Sequence, residues 1–160
     1  MISLLLAVAV IADDPQAGVR QSSIVIMSDN PAAAKSEEEA GYSDAIVAGD
    51  FIYLSGVVAS LRPGETSYEA AYTRAFEQIG SRLSRLGATW DDVVEMTTFH
   101  TDIAAQSPPF IAVKRRYVRP PYPAWTAIGV SRLVPPFGVT EIKVVAFRGH
   151  RLPAAATSSK

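Results

Sequence analysis

The chain has 160 residues, 48% of them hydrophobic and 19% charged, a balance that suits one globular core. A formal net charge of −1 gives no global field to draw the protein onto nucleic acid or an anionic membrane. The absence of cysteine excludes disulfides, thiol nucleophiles and thiolate metal sites, and the only imidazoles, His100 and His150, lack the short spacing that sets two metal ligands on one helix face.

In chain order, Leu4 to Ala12 is an unbroken apolar run closed by Asp13 and Asp14, with the small-residue end Val10-Ile11-Ala12. Residues 1–12 thus read as a short export signal, which favours a periplasmic or exported location over the cytoplasm. A misplaced start or an N-terminal strand is the alternative, and the run falls well short of the roughly 20 residues that span a bilayer, so no membrane association is expected. Residues 13–41 form an N-terminal strand and connector: Ser23 to Met27 is β-branched, and Asn30-Pro31 opens a polar stretch with Glu37, Glu38 and Glu39 that has room for one helical turn.

The main domain spans residues 42–150. Its runs Tyr42 to Ala48 and Phe51 to Ala59 flank Gly49-Asp50, a turn pair that predicts a hairpin. From Thr66 to Leu86 the period changes: Tyr72, Phe76, Ile79, Leu83 and Leu86 share one helical face and Arg74, Gln78, Arg82 and Arg85 the other. Thr66 with Glu69 predicts a capping box at the start, and Gly87 a left-handed cap at the end. Val93 to Thr101 is a strand, and Pro108-Pro109 open a second helix that runs to about Val118. Strands Ala124 to Val130 and Val139 to Phe147 complete the order ββαβαββ, an α/β arrangement with at least one parallel crossover. Residues 151–160 read as a disordered tail.

The sequence holds no nucleophile elbow, phosphate-binding glycine loop, dinucleotide fingerprint or metal-ligand cluster, so neither a cofactor nor a metal is expected. Glu141 stands mid-strand in VTEIKVV, and on residues alone the alternation of a strand with one wet face accounts for it better than a function does. Lys114-Arg115-Arg116 with Arg119 is a basic run that suits the C-terminal end of a helix. His100, between Phe99 and Thr101, reads as a packed histidine. Trp125 fits either the core or a pocket at an interface.

Taken together, Y42-S-D-A-I-V-A-G-D-F-I-Y-L-S-G56, G87-A-T-W-D-D-V-V-E-M-T-T-F-H-T-D102, P123-A-W-T-A-I-G-V130 and V139-T-E-I-K-V-V-A-F147 resemble the Rid family, also called YjgF and, in older usage, L-PSP endoribonuclease. The resemblance covers about two-thirds of the chain. It implies a chorismate-mutase-like fold: a mixed sheet with two helices packed on one face, closed into a trimeric barrel with small-molecule clefts between subunits. The best-known members hydrolyse enamines and imines to 2-keto acids and ammonia, and hold the substrate carboxylate with a two-pronged arginine contact.

On that resemblance Glu141 is the acidic residue that positions water, while Tyr42, Ser55 and Gly56 match cleft positions. Three positions depart from the pattern: Trp125 stands where the arginine is usual, Val57 where a glutamine is frequent, and Lys114 where an asparagine is usual. Tyr117 and Thr126, close in sequence to Lys114 and Trp125, complete the expected substrate-binding set. An indole in place of the guanidinium implies an aromatic wall, a flatter or less anionic ligand, and weak deamination of small imino acids. Two readings stay open, a divergent hydrolase acting on C–N bonds and a non-catalytic metabolite-binding or regulatory trimer. Ribonuclease activity ranks last, because only the basic run supports it.

Overall fold

β-branched and aromatic residues build a seven-stranded mixed sheet in the computed structural model, which describes residues 18–20 and 23–149. The export-signal run Leu4 to Ala12, His150 and the tail from 151 lie outside the described residues. The strands are β1 (Ile24–Ile26), β2 (Ala45–Ala48), β3 (Phe51–Leu54), β4 (Val57–Ser60), β5 (Val93–His100), β6 (Ala124–Gly129) and β7 (Gly138–Phe147). Their order is β1-β2-β3-β7-β5-β6, with β4 also paired to β7. The predicted hairpin forms: Ala48 faces Phe51 across a two-residue turn, and Gly49 takes φ 60°, a value a residue with a side chain rarely adopts.

The run Phe51 to Ala59 is not one strand. It breaks at Ser55-Gly56 into β3 and β4, which pair with successive halves of β7, so that β7 is bordered by β3, β4 and β5. The parallel crossover is β5-α3-β6.

Among the described residues there are three α-helices rather than two: α1 (Pro31–Ala40), α2 (Tyr68–Arg85) and α3 (Ile103–Tyr117). The stretch read as a connector holds ten helical residues, capped by the Asn30 side chain and by Gly41 at φ 73°. Periodicity missed it because its one buried residue is the acid Glu37, whose carboxylate accepts the Ser28 N–H at 2.8 Å. In α2 the predicted apolar face is the buried one, and Gly87 has φ 74°. The cap differs: Ser67, not Thr66, accepts the Glu69 N–H.

Helix α3 begins five residues before the prolines, with Asp102 accepting the Ala105 N–H. Pro108 and Pro109 deprive the carbonyls of Ala104 and Ala105 of helical partners, but both residues are exposed and water takes that role.

Helices α2 and α3 pack on one face of the sheet. Tyr72, Phe76, Ile79 and Leu83 meet Phe110 and Val113 over Ile52, Leu54, Met96, Ile142 and Val144, all at most 2% exposed. Each such side chain contributes about 1.5–3 kcal/mol of transfer free energy. On the opposite face Phe51, Tyr53, Ile128 and Phe147 remain 40–43% exposed. Among the described residues, no helix is long and apolar enough to cross a membrane.

Candidate functional site

Strand alternation sorts the candidate residues onto two faces. In β7, Thr140, Ile142, Val144 and Ala146 are buried under the helices, so Glu141, Lys143, Val145 and Phe147 project from the open face. Glu141 lies opposite Val58 on one side and Phe99 on the other. It is half-buried, and its carboxylate makes no hydrogen bond or ion pair among the described residues. With no partner in the subunit, the carboxylate is left for water or a ligand to meet.

The break between β3 and β4 makes room for Glu141. A Cβ added at Gly56 would stand 2.0 Å from Glu141 Oε1 and 2.7 Å from its Cδ, so only glycine fits there without displacing the acid. Next to it the Ser55 hydroxyl donates to the Ser43 carbonyl at 2.6 Å, and the Ser55 N–H donates to the Asp44 carbonyl at 3.0 Å. These bonds fasten the segment that carries Tyr42, itself 51% exposed, against the break. Gly56 and Glu141 thus touch on the open face, with Ser55 next to them in the chain and Tyr42 on the segment that Ser55 holds.

The candidates Trp125 and Lys114 lie instead on the helix face, at the β6 edge. Trp125 aligns with Met96 in β5 and donates its indole N–H to the Thr98 hydroxyl at 3.0 Å. One face of the indole meets Phe110, with centroids 5.6 Å apart, and the Lys114 ammonium lies 3.5 Å from the ring centroid. Phe110 and Lys114, one turn apart on α3, thus both border the half-buried indole in the single chain, and the ammonium adds a charge beside it. Burial first, and then the charge of Arg115, lower the Lys114 pKa, and no acid pairs with it among the described residues.

The indole is anchored by a buried polar chain. An indole N–H can only donate, so the Thr98 hydroxyl accepts it and turns its own hydrogen to His100 Nε2 at 2.9 Å, with the Thr126 carbonyl a longer alternative at 3.4 Å. The neutral ring then donates from Nδ1 to Thr140 at 3.1 Å. Thr140 also accepts from the Tyr72 hydroxyl at 3.0 Å and donates to Gln106 Oε1 at 3.4 Å. Burial of this ring lowers the His100 pKa. His100 is thus the packed histidine its strand context suggests.

The remaining candidates lie elsewhere. Val57 is 3% exposed and belongs to the core, so its side chain offers a ligand nothing in the single chain. Tyr117 stacks on Phe76 at 5.1 Å and lies 6.0 Å from the Trp90 ring. Thr126 is exposed on the open face, opposite to its neighbour Trp125. The basic run is also divided, since Arg116 pairs with Glu69 at 2.5 Å while Lys114 covers the indole. Among the described residues, no group of three or more potential metal ligands occurs.

Sequence reasoning overlooked Lys143 and Arg20, which border a groove of about 440 Å³ with Tyr42, Tyr53 and Ser55. Alternation along VTEIKVV was a usable signal for Lys143, because it places that residue on the face of Glu141.

The profile of the family described as Endoribonuclease L-PSP matches residues 32–148. The chain is 40% identical over 109 residues to the RutC family protein YjgH of Escherichia coli (strain K12), a match covering 66% of this chain and 81% of that protein. A solved structure of protein YjgH superposes with a TM-score of 0.66 at 34% identity, over 79% of this chain and 96% of that one. Rv2704 of Mycobacterium tuberculosis, a member of the YjgF/YER057c/UK114 family, gives a TM-score of 0.67 at 25% identity, over 79% of this chain and 99% of that one. With the family profile spanning most of the sequence and the fold matching throughout the domain, the chain belongs to the Endoribonuclease L-PSP, or YjgF/Rid, family.

Proposed function

We propose that this protein is a divergent Rid-type hydrolase which assembles as a homotrimer and binds a small enamine- or imine-like metabolite in clefts between subunits. The observation that carries this reading is the half-buried, unpartnered carboxylate of Glu141 held against Gly56. Glu141 and the Lys114–Trp125 pair lie on opposite faces of one sheet, so a single subunit cannot bring them together. A neighbouring copy that lays its β6 edge over the open face completes the cleft, with Lys114 facing Glu141 across the seam.

In the reaction, Glu141 takes a proton from a bound water as the water oxygen adds to the C=N carbon. That proton passes to nitrogen to give a carbinolamine, whose hydroxyl proton is then relayed by Glu141 to the same nitrogen as the C–N bond breaks, and the products are a carbonyl compound and ammonia. The carbon is neither oxidised nor reduced, which agrees with the absence of a cofactor requirement in the scheme. Where relatives use a planar arginine, this chain offers one ammonium, which cannot reproduce a paired contact to a carboxylate. Weak turnover of small 2-imino acids follows.

Ammonia release from freshly generated 2-aminoacrylate tests this. The wild type should fall at least about tenfold below an arginine-bearing relative, as loss of one charged hydrogen bond implies, and Glu141→Gln should abolish what remains. A wild-type rate equal to the relative's would refute the divergence. If Glu141→Gln matched the wild type while a metabolite raised the melting temperature without product, the protein would be a binding or regulatory trimer instead.

A further inference from the structure

We infer that the groove beside Glu141 is an anion-binding subsite, with Lys143 and Arg20 as its cations, so that the preferred ligand carries a second acidic group in addition to the one near the reacting carbon. This rests on the reading of Glu141 as the centre of the cleft. The groove opens on the same face as Glu141, next to the Ser55-Gly56 break, and its volume of about 440 Å³ suits a small metabolite.

Lys143 follows Glu141 by two residues in β7, so both side chains leave the sheet on one side. Neither Lys143 nor Arg20 forms an ion pair among the described residues, whereas Arg74, Arg82, Arg85 and Arg116 all do. The groove's cations are therefore uncommitted. The phenols of Tyr42 and Tyr53 and the hydroxyls of Ser43 and Ser55 are the other polar side chains that line it.

Among the described residues no acid lines the groove, and its two cations favour an anionic ligand. In the assembled cleft, the adjoining subunit's Lys114 would approach Glu141 from the other side. A ligand that spans the cleft then meets a cation at each end and the carboxylate in the middle. A 2-oxo or 2-imino dicarboxylate has that distribution of charge, and a monocarboxylate leaves the Lys143 end unused.

Calorimetric titration with 2-oxopentanedioate and 2-oxopentanoate tests the inference, because the two differ only in the second carboxylate. The diacid should bind about tenfold or more tightly than the monoacid, the range expected of one charge-assisted contact. Lys143→Met should remove most of that preference without changing the monoacid's affinity, Lys143→Arg should keep it, and Arg20→Met should reduce it. Equal affinities in the wild type, or a Lys143→Met variant that retains the preference or weakens both ligands alike, would overturn the subsite. If Lys143→Met did not fold, Arg20→Met would decide, and an unchanged preference there would count against the proposal. A Lys143-dependent preference without any ammonia release would leave this inference standing and remove the hydrolase. Glu141-dependent turnover without the preference would do the reverse.

Discussion

At the scale of single residues, His100 illustrates how burial sets chemistry. It is fully buried, its ring nitrogens are engaged by two threonine hydroxyls, and desolvation is the main reason its pKa is lowered. The unfolded chain therefore binds a proton at a higher pH than the folded one. Stability contributed by the neutral ring is present above an unfolded pKa of about 6.5, and is lost progressively as pH falls below it toward the depressed folded value. Urea titrations should show the wild type losing stability over this acidic window faster than His100→Gln, even though the variant is less stable at neutral pH. Parallel slopes for the two would contradict the assignment. The same burial explains why no sequence pattern revealed this network: Thr98, His100, Thr140 and Gln106 meet only through tertiary packing.

Among the elements, legibility followed amphipathicity. Helix α2 was readable because one face is wholly apolar and the other carries arginine and glutamine. Helix α1 was read as a connector because its short Ala- and Glu-rich run buries a carboxylate instead of an apolar stripe. The start of α3 was displaced because Pro108 and Pro109 look like a helix opening, yet their missing N–H groups leave only exposed carbonyls unsatisfied. Cap identity can be tested in α2. Ser67→Ala should cost about 1 kcal/mol in denaturant titrations, the usual value of a side-chain N-cap. Thr66→Ala should stay within about 0.5 kcal/mol, as surface substitutions do. The opposite ranking would restore Thr66 as the cap.

For the whole molecule, the open sheet face sets the expectation. Phe51 packs on Phe147 at 4.9 Å and lies 6.2 Å from Tyr53, and these rings, with Ile128 at the far edge, stay about two-fifths exposed in the single chain. In the proposed trimer another chain covers this aromatic patch. Light scattering at micromolar concentration should give three times the mass of one chain. Phe51→Asp should return it to single chains with much of the helix content retained, because Phe51 faces away from the helical core. A wild-type protein that stays monomeric would sink both the assembly and the shared cleft.

Local order was set by the sequence alone: the hairpin at Gly49-Asp50, the α2 face and the crossover follow from residue spacing along the chain, and the family resemblance rests on the segments that carry it. Alternation of period two also places Glu141 and Lys143 on one face. Which residues meet was decided only by the tertiary structure. The register of β7 against β3, β4 and β5 puts Glu141 against Gly56, and the parallel pairing of β5 with β6 carries Trp125 to the other face, beneath Lys114. The physical reason is that periodicity reports which side of an element is buried, whereas pairing between distant strands depends on the packing of the whole core.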